Sequence, residues 1–267
     1  MDPFRIIAPT TKRVPILISS PHSGTAFPEE IREHYNPEAI AAPDDTDWFI
    51  DKLYDFAPSL GITMITAHYS RWVIDLNRDP ESNPLYDDGR VITDLCPTMS
   101  FMEEPIYKED QLPNRKEIDR RLDQYYWPYY FKLQSILNDL KKEFGQVLLW
   151  DAHSIRQYVP TIRKEVFPDL ILGDNDETSA SEDLIKTSLD KLGESRLKLN
   201  HNNPFKGGHI TRYFGKPSDN QHALQLEMTK INYMNDDELQ YNEERAAIIR
   251  SILINNFEGL IEKLSSK

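Results

Sequence analysis

Short apolar runs alternate with longer amphipathic segments along most of the chain. The apolar runs are rich in Val, Ile and Leu and show little strict alternation, which is typical of strands in a sheet covered on both faces. A sheet with helices on each side is therefore expected. The predicted strands are VPILISS (14–20), ITMITAH (62–68), VIDLN (73–77), VLLWDAH (147–153), DLILGD (169–174), LKLNHN (197–202) and HALQLEM (222–228).

The segments between these strands have the spacing of amphipathic helices. In the longest of them apolar residues recur on one face, and Pro128 is expected to bend or split the helix. The alternation of strands and helices predicts an α/β fold, a three-layer sandwich with a mixed, largely parallel sheet. The predicted helices span 45–61, 114–145, 179–193 and 236–265.

One stretch interrupts this alternation. Residues 79–113 are rich in proline and acidic side chains and show no sustained period. A connection of this length inside a compact domain is usually functional or mobile, so we expect it to pass over the active site, as a lid would. No linker or repeat divides the chain, and residues 1–267 are predicted to form a single domain.

Net charge, cysteine content and the length of apolar runs limit which partners and which cellular compartment are expected. Lys and Arg total 31 against 44 Asp and Glu, a net charge of −13, which repels the phosphate backbone of nucleic acids. The single cysteine, Cys96, excludes an intramolecular disulfide and favours a reducing, cytoplasmic setting. The chain lacks a signal-peptide pattern and an apolar run of membrane-spanning length, so no membrane partner is expected. The oligomeric state stays open.

Polar residues cluster where predicted strands end or a predicted helix begins. The clusters are SPHSG (20–24), DDTD (44–47), WDAHS (150–154) and LQLEM (224–228). Ligands of open α/β sheets bind at the carboxyl ends of the strands. His22 and His153 each follow an apolar strand, so both should reach that edge, and an acid of the DDTD segment could reach it too.

Two histidines and one carboxylate are the ligand set of a catalytic zinc site. Each residue alone also has a structural explanation, since a strand-end histidine is often only hydrogen-bonded and acids at a helix start often only cap it. Glu227 is harder to explain in this way. It lies in an apolar strand, and a carboxylate is rarely buried without a partner, so we interpret it as part of the metal site.

Arginines form a second set of candidates. SRWVIDLNRDP supplies Arg71 and Arg78, and GGHITRYFGKP supplies Arg212. An arginine fork recognises a carboxylate through two parallel hydrogen bonds. For Arg71, a structural pair with Asp75 is as good an interpretation as substrate binding. Arg78 and Arg212 are adjacent to turns and are interpreted as substrate contacts.

Several of these segments together resemble a known family. PHSG, DTDWFIDKLYDFA, SRWVIDLNRDP, DAHS and GGHITRYFGKP…HALQLEM…YM are similar to blocks of the N-formylglutamate amidohydrolase family, in the same order from residue 16 to about 234. Each block is weak alone, but five in order are specific. The resemblance implies an α/β fold like that of zinc carboxypeptidases and aspartoacylase-type deacylases. It also implies hydrolysis of N-formyl-L-glutamate to formate and L-glutamate in histidine degradation.

This sequence differs from the zinc carboxypeptidases in one metal-ligand motif. Zinc carboxypeptidases take two ligands from a His-x-x-Glu pair, whereas Thr25 is the third residue after His22. The carboxylate ligand is therefore expected from the DDTD segment, with Asp45 and Asp47 as alternatives.

The resulting hypothesis is a metal-dependent amidohydrolase with one zinc, or another divalent ion, per site. His22, His153 and either Asp45 or Asp47 would bind the ion, and Glu227 would act as general base. The substrate would be a small anion with two carboxylates. The residues expected to contact it are Asn77 and Arg78, which resemble the carboxypeptidase carboxylate clamp, together with Arg212 and, as a possibility, Arg71.

Two other functions stay open on the sequence alone. One is a carboxypeptidase-like peptidase or a deacylase for other N-acyl amino acids. The other is a non-catalytic protein that only binds acidic ligands. A metal assay followed by measurement of formate release separates these possibilities.

Overall fold

A seven-stranded sheet runs through the part of the chain that the computed structural model describes, residues 2–85 and 93–265. The strands lie side by side in the order β1-β3-β2-β4-β7-β5-β6, and β2, β3, β4 and β7 are parallel to one another, whereas β1 and the β5–β6 pair run in the opposite direction. The mixed, largely parallel sheet is thus confirmed. The strands are β1 Phe4–Ile7, β2 Ile16–Ser20, β3 Thr63–Ala67, β4 Val147–Ile155, β5 Leu170–Gly173, β6 Leu199–His201 and β7 Gln221–Thr229.

Eight α-helices accompany this sheet within the described residues. None of them combines the length and apolar composition that a membrane crossing requires. A π-helical turn, Leu122–Tyr126, joins the fourth helix to the fifth, and short 3-10 turns occupy Ala57–Leu60, Pro217–Asp219 and Lys230–Asn232. The α-helices are α1 Glu29–Arg32, α2 Pro37–Ala41, α3 Ile50–Leu53, α4 Arg115–Arg121, α5 Trp127–Phe144, α6 Glu182–Gly193, α7 His209–Phe214 and α8 Glu243–Ser265.

Helices cover both faces of the sheet, as the continuous apolar strands predict. Along β4, Leu148 and Trp150 pack on one face with residues of α3, α6 and α8. Val147 and Leu149 pack on the other face with residues of α5 and α7. Because adjacent residues of a strand point to opposite faces, a strand without polar alternation buries both sides. The result is the predicted three-layer sandwich.

Residues 73–77 were predicted as a strand, and this prediction is wrong. The segment turns, and side chains together with backbone carbonyl groups of nearby loops satisfy its backbone instead of a neighbouring strand. Nη1 of Arg121 donates to the carbonyl oxygen of Val73 at 2.9 Å, and the Tyr130 hydroxyl donates to that of Leu76 at 2.9 Å. The apolar residues of this segment are buried, so its composition resembled that of a strand.

The helix predicted over 45–61 is also shorter than expected. Only α3 and the 3-10 turn Ala57–Leu60 are helical, and the acidic residues 44–47 lie in the loop before them. Phe49, directly before α3, has a left-handed backbone with φ 63°, so the helix begins after it. The short edge strand β1 was not predicted, because its four residues, FRII, show no pattern of burial on one face.

The long helix predicted over 114–145 is continuous, and a π-helical turn interrupts its regular α-helical geometry just before Pro128. Pro128 lies in the first turn of α5, just after the π-helical turn. The helices predicted over 179–193 and 236–265 correspond to α6 and α8, with later starts. The single-domain assignment and the lid interpretation of 79–113 stay predictions. Residues 86–92 of that stretch lie outside the described residues.

Candidate metal centre and active site

Polar side chains replace apolar ones at the carboxyl ends of β4 and β7, on the face that packs against α5 and α7. In β4 the sequence VLLWDAHSI places Asp151 and His153 on the same face as Val147 and Leu149. In β7, Gln225 pairs in register with Asp151, and Glu227 pairs with His153. The face that forms core at one end of the sheet therefore becomes a polar surface at the other.

Three buried side chains from different segments meet at this polar surface. His22 follows β2, Asp47 precedes α3 and His153 lies in β4. Oδ2 of Asp47 is 3.0 Å from Nδ1 of His153 and 3.8 Å from Nδ1 of His22, and the two imidazole centroids are 4.8 Å apart. One ligand atom from each residue lies within 4.8 Å of the other two, so this cluster could hold a metal ion.

Each histidine of the cluster is supported from behind by a carboxylate. Nε2 of His22 is 2.7 Å from Oδ1 of Asp75, and Nε2 of His153 is 3.0 Å from Oδ2 of Asp151. Metal-binding histidines commonly donate their second ring N–H to a carboxylate in this way. The three residue types, the short distances between their ligand atoms and the carboxylates behind the histidines therefore fit a divalent metal ion such as zinc. Asp75 and Asp151 were not predicted as site residues, although alternation in VLLWDAHSI places Asp151 on the same face as His153.

Charged groups near the cluster favour the ionised forms of Asp47, a proposed ligand, and of Asp75, which supports His22. Burial alone would raise the pKa of Asp47, but the hydrogen bond with His153 and the charge of His22 hold it below its usual value. Burial alone would likewise raise the pKa of Asp75, but Arg71 holds it well below. Burial lowers the pKa of His22, whereas at His153 the carboxylate of Asp151 outweighs burial and raises the pKa.

The alternatives Asp45 and Asp47 have different contacts in the structure. Asp47 belongs to the cluster, whereas both oxygens of Asp45 face protein N–H groups. Nε1 of Trp72 donates to Oδ2 of Asp45 at 2.8 Å, and the backbone N–H of Phe101 donates to Oδ1 at 3.0 Å. Asp45 therefore tethers residue 101 of the proline-rich stretch and does not contribute a ligand to the cluster.

Glu227 stands beside the cluster, with its carboxyl group directed to a cavity. No described residue donates a hydrogen bond to this carboxylate. In the sheet, Glu227 pairs with His153 of β4 on one side and with the apolar Ile171 of β5 on the other. Burial raises the pKa of Glu227 to about 8, above that of an ordinary carboxyl group. A carboxylate with raised basicity and no partner among the described residues is suited to proton transfer.

The cavity has a volume of about 570 Å³ and exposes the cluster and Glu227. Part of its wall comes from the stretch 79–113. Isoleucine and phenylalanine side chains supply an apolar part of the wall. The described residues that this stretch contributes are Leu85, Thr93, Asp94, Pro97, Thr98, Met99, Ser100, Phe101 and Glu103.

Among the described residues, two arginines line the cavity. Nη2 of Arg71 is 2.6 Å from Oδ2 of Asp75, and its guanidinium carbon lies 4.8 Å from the ring centroid of Phe101. Arg71 thus makes the structural pair considered from the sequence and also reaches the cavity. Nε and Nη2 of Arg78 donate to Oγ1 of Thr93 at 3.1 and 2.8 Å.

Arg212 and Asn77 differ from their predicted positions as substrate contacts. Arg212 is not among the residues of 2–85 and 93–265 that line the cavity, and it donates to the carbonyl oxygens of Gly207 and Leu85 at 3.0 and 2.8 Å. Asn77 borders the cavity, but both ends of its carboxamide contact protein groups. Its Nδ2 donates to Asp151 at 3.1 Å, and its Oδ1 accepts from the N–H of Ile210 at 2.8 Å.

Comparison with known proteins agrees with this geometry. The family model of N-formylglutamate amidohydrolase matches residues 14–234. The N-formylglutamate deformylases of Pseudomonas putida and Pseudomonas aeruginosa are each 39% identical, with 93% of this chain and 93% of each relative covered. The crystal structure of an N-formylglutamate amidohydrolase from Ralstonia eutropha JMP134 matches with a TM-score of 0.82, 25% identity and 99% of both chains covered.

The fold, the polar cluster and these matches define the protein as a hydrolase that acts on an amide bond. More particularly, the chain belongs to the N-formylglutamate amidohydrolase family.

Proposed function

We propose that this protein hydrolyses N-formyl-L-glutamate to formate and L-glutamate, with zinc or another divalent ion held by His22, Asp47 and His153. The observation that carries the proposal is the position of Glu227. Its carboxyl group has no hydrogen-bonding partner among the described residues and opens to the same cavity as the cluster. The names of the two Pseudomonas relatives support the choice of substrate.

Glu227 is the proposed general base. It would take a proton from the attacking water and return it to the departing amine of glutamate. When bound, the metal ion supplies Lewis acidity, which polarises the formyl carbonyl and lowers the pKa of a water molecule to about 7. Burial keeps the basicity of this carboxylate high, and its partner in register on β5 is the apolar Ile171.

Arg71 is proposed to stabilise the negative charge that develops on the carbonyl oxygen. Burial has the largest effect on the pKa values of His22, Asp47 and Glu227, and raises that of Glu227 overall. The positive charge of Arg71 acts on the pKa of each group in the downward direction, so it reaches all parts of the reacting region. Asp75 holds the guanidinium in place through the 2.6 Å contact. A preorganised charge of this kind needs no reorganisation during the reaction.

Metal removal tests the proposed function as a whole. Protein stripped with a chelator should release no formate from N-formylglutamate, and one equivalent of zinc per chain should restore turnover. N-acetylglutamate and a dipeptide with C-terminal glutamate are the comparison substrates. Equal activity of chelated and reconstituted protein would contradict the metal site, and cleavage of the dipeptide alone would favour the peptidase interpretation.

Arg78 is the residue that we expect to bind a substrate carboxylate. Arg78→Ala should raise KM for N-formylglutamate by about 10–100-fold, because hydrogen bonds to charged groups contribute about 1.5–3 kcal/mol. Arg78→Lys should not restore KM, since lysine lacks the planar fork of donors. Steady-state formate release measures both variants.

N-formyl-L-glutamine is the matched substrate for this test, because it has the shape of N-formylglutamate without the side-chain charge. An effect on both substrates assigns Arg78 to the α-carboxylate, and an effect on N-formylglutamate alone assigns it to the side chain. If KM is unchanged for both, Arg78 has only a structural role. Arg212→Ala in the same assay tests the sequence-based prediction for Arg212, and we expect it to change KM less than Arg78→Ala does.

A further inference from the structure

Asn77 lies between the two carboxylates that support the histidines of the cluster. Its backbone N–H donates to Oδ1 of Asp75 at 2.9 Å, the atom that also contacts His22. Its side-chain Nδ2 donates to Oδ2 of Asp151 at 3.1 Å, the atom that also contacts His153. One residue therefore links the supports of both histidines.

The side chain of Asn77 matters most to Asp151. Asp151 is fully buried, and its Oδ1 has no hydrogen-bond partner within 2–85 and 93–265. Its Oδ2 is shared by Nε2 of His153 and Nδ2 of Asn77, which lie 3.0 Å from each other. When Nδ1 of His153 is free to bind an ion, Nε2 carries the proton and donates to Asp151. Asn77 then supplies the second hydrogen bond that keeps this carboxylate in place.

The amide of Asn77 is itself held tightly. Its Oδ1 accepts from the N–H of Ile210, and its Nδ2 lies 3.4 Å from Oε1 of Gln225, which also accepts from the N–H of Gly208 at 2.7 Å. A Cβ atom on Gly208 would lie 2.4 Å from Nδ2 of Asn77. Only glycine therefore fits at position 208, because the side-chain amide of Asn77 packs directly against its Cα.

We propose that Asn77 is a positioning residue of the metal site. It fixes Asp151 against His153, and so determines how tightly the cluster holds its ion, whereas it does not bind the substrate carboxylate. The inference rests on the proposed function only in treating the cluster as a metal site. It replaces the substrate contact expected from the sequence, because the donors and the acceptor of the amide already face protein groups.

Zinc affinity, which requires no turnover, tests the proposal. The metal-free wild type, Asn77→Ala and Gly208→Ala would be titrated with zinc against a chromophoric chelator, with Arg78→Ala as the matched control from the adjacent cavity-lining position. Asn77→Ala should bind zinc about 10–100-fold more weakly, the usual effect of losing an outer-shell partner. Gly208→Ala should weaken binding in the same direction, since its methyl group displaces the amide. Arg78→Ala should change the affinity less than either variant, because its contact with Asp75 is long, at 3.9 Å.

Kinetics at saturating zinc separate positioning from substrate binding. Asn77→Ala should have a near wild-type KM for N-formylglutamate, whereas Arg78→Ala should not. Wild-type zinc affinity in both Asn77→Ala and Gly208→Ala would overturn the proposal, as would unchanged affinity with a raised KM in Asn77→Ala. If Asn77→Ala does not fold, as judged by thermal unfolding, Gly208→Ala alone decides in the same way. A wild type that binds zinc but releases no formate would remove the proposed substrate and leave this inference standing.

Discussion

Glu227→Gln should lower kcat for N-formylglutamate by about 10²–10⁴-fold while the protein retains its metal. Glutamine has the shape of glutamate but cannot accept the proton of the attacking water. The carboxyl group of Glu227 has a pKa raised to about 8 by burial and no described hydrogen-bond donor, so its replacement should disturb the surrounding structure little. Formate release and metal content per chain measure the two quantities.

Glu227→Asp provides the control for this prediction. It keeps an ionisable carboxyl group and should retain more activity than Glu227→Gln, although the shorter side chain places the carboxylate less well. Loss of metal from Glu227→Gln would show that Glu227 is a ligand rather than a base. Equal activity of the glutamine variant and the wild type would remove it from the reaction.

Asp47→Asn should lose the metal ion and with it the hydrolysis of N-formylglutamate. The carboxylate of Asp47 faces the Nδ1 atoms of both His22 and His153, and a neutral amide there is a far poorer ligand for a divalent ion. Zinc affinity should fall by more than the roughly 10–100-fold that outer-shell substitutions cause. Titration of the metal-free variant and formate release provide the measurements.

Asp45→Asn is the matched control, because the same change is made two residues away. This variant should keep its metal but lose about 1–3 kcal/mol of unfolding free energy, since the buried N–H of Trp72 and the partly buried N–H of Phe101 lose a charged acceptor. Denaturant unfolding measures that loss. If Asp45→Asn loses the metal and Asp47→Asn keeps it, the assignment of the two aspartates is reversed.

The elements that bring the site together could be predicted from local patterns. His22, His153 and Glu227 were selected because each lies at or near the carboxyl end of an apolar strand, and parallel strands end at a common edge. No long-range information is needed for that step. The layers of the fold followed from strands that are apolar on both faces.

Features that depend on distant contacts could not be predicted. Asp45 and Asp47 are both acidic and both buried, and only contacts with residues distant in sequence distinguish them. Asp45 accepts from Trp72 and Phe101, whereas Asp47 faces His22 and His153. The strand predicted at 73–77 was wrong because buried loops and buried strands share the same apolar composition. Among the described residues, Arg71 lines the cavity and Arg212 does not. This difference depends on the distant residues that surround each arginine, and the turn residues next to Arg212 in the sequence do not reveal it.

The alternation along β4 limits how this site can change in evolution. Asp151 and His153 face the cluster because they lie two, four or six positions further along the strand than the apolar residues Val147 and Leu149. An insertion or deletion of one residue between Leu149 and Asp151 would turn both side chains into the opposite core layer, and Leu148, Trp150 and Ala152 pack in that layer. Substitutions can therefore adjust this strand one side chain at a time, whereas length variation among relatives should be confined to the loops that border the cavity.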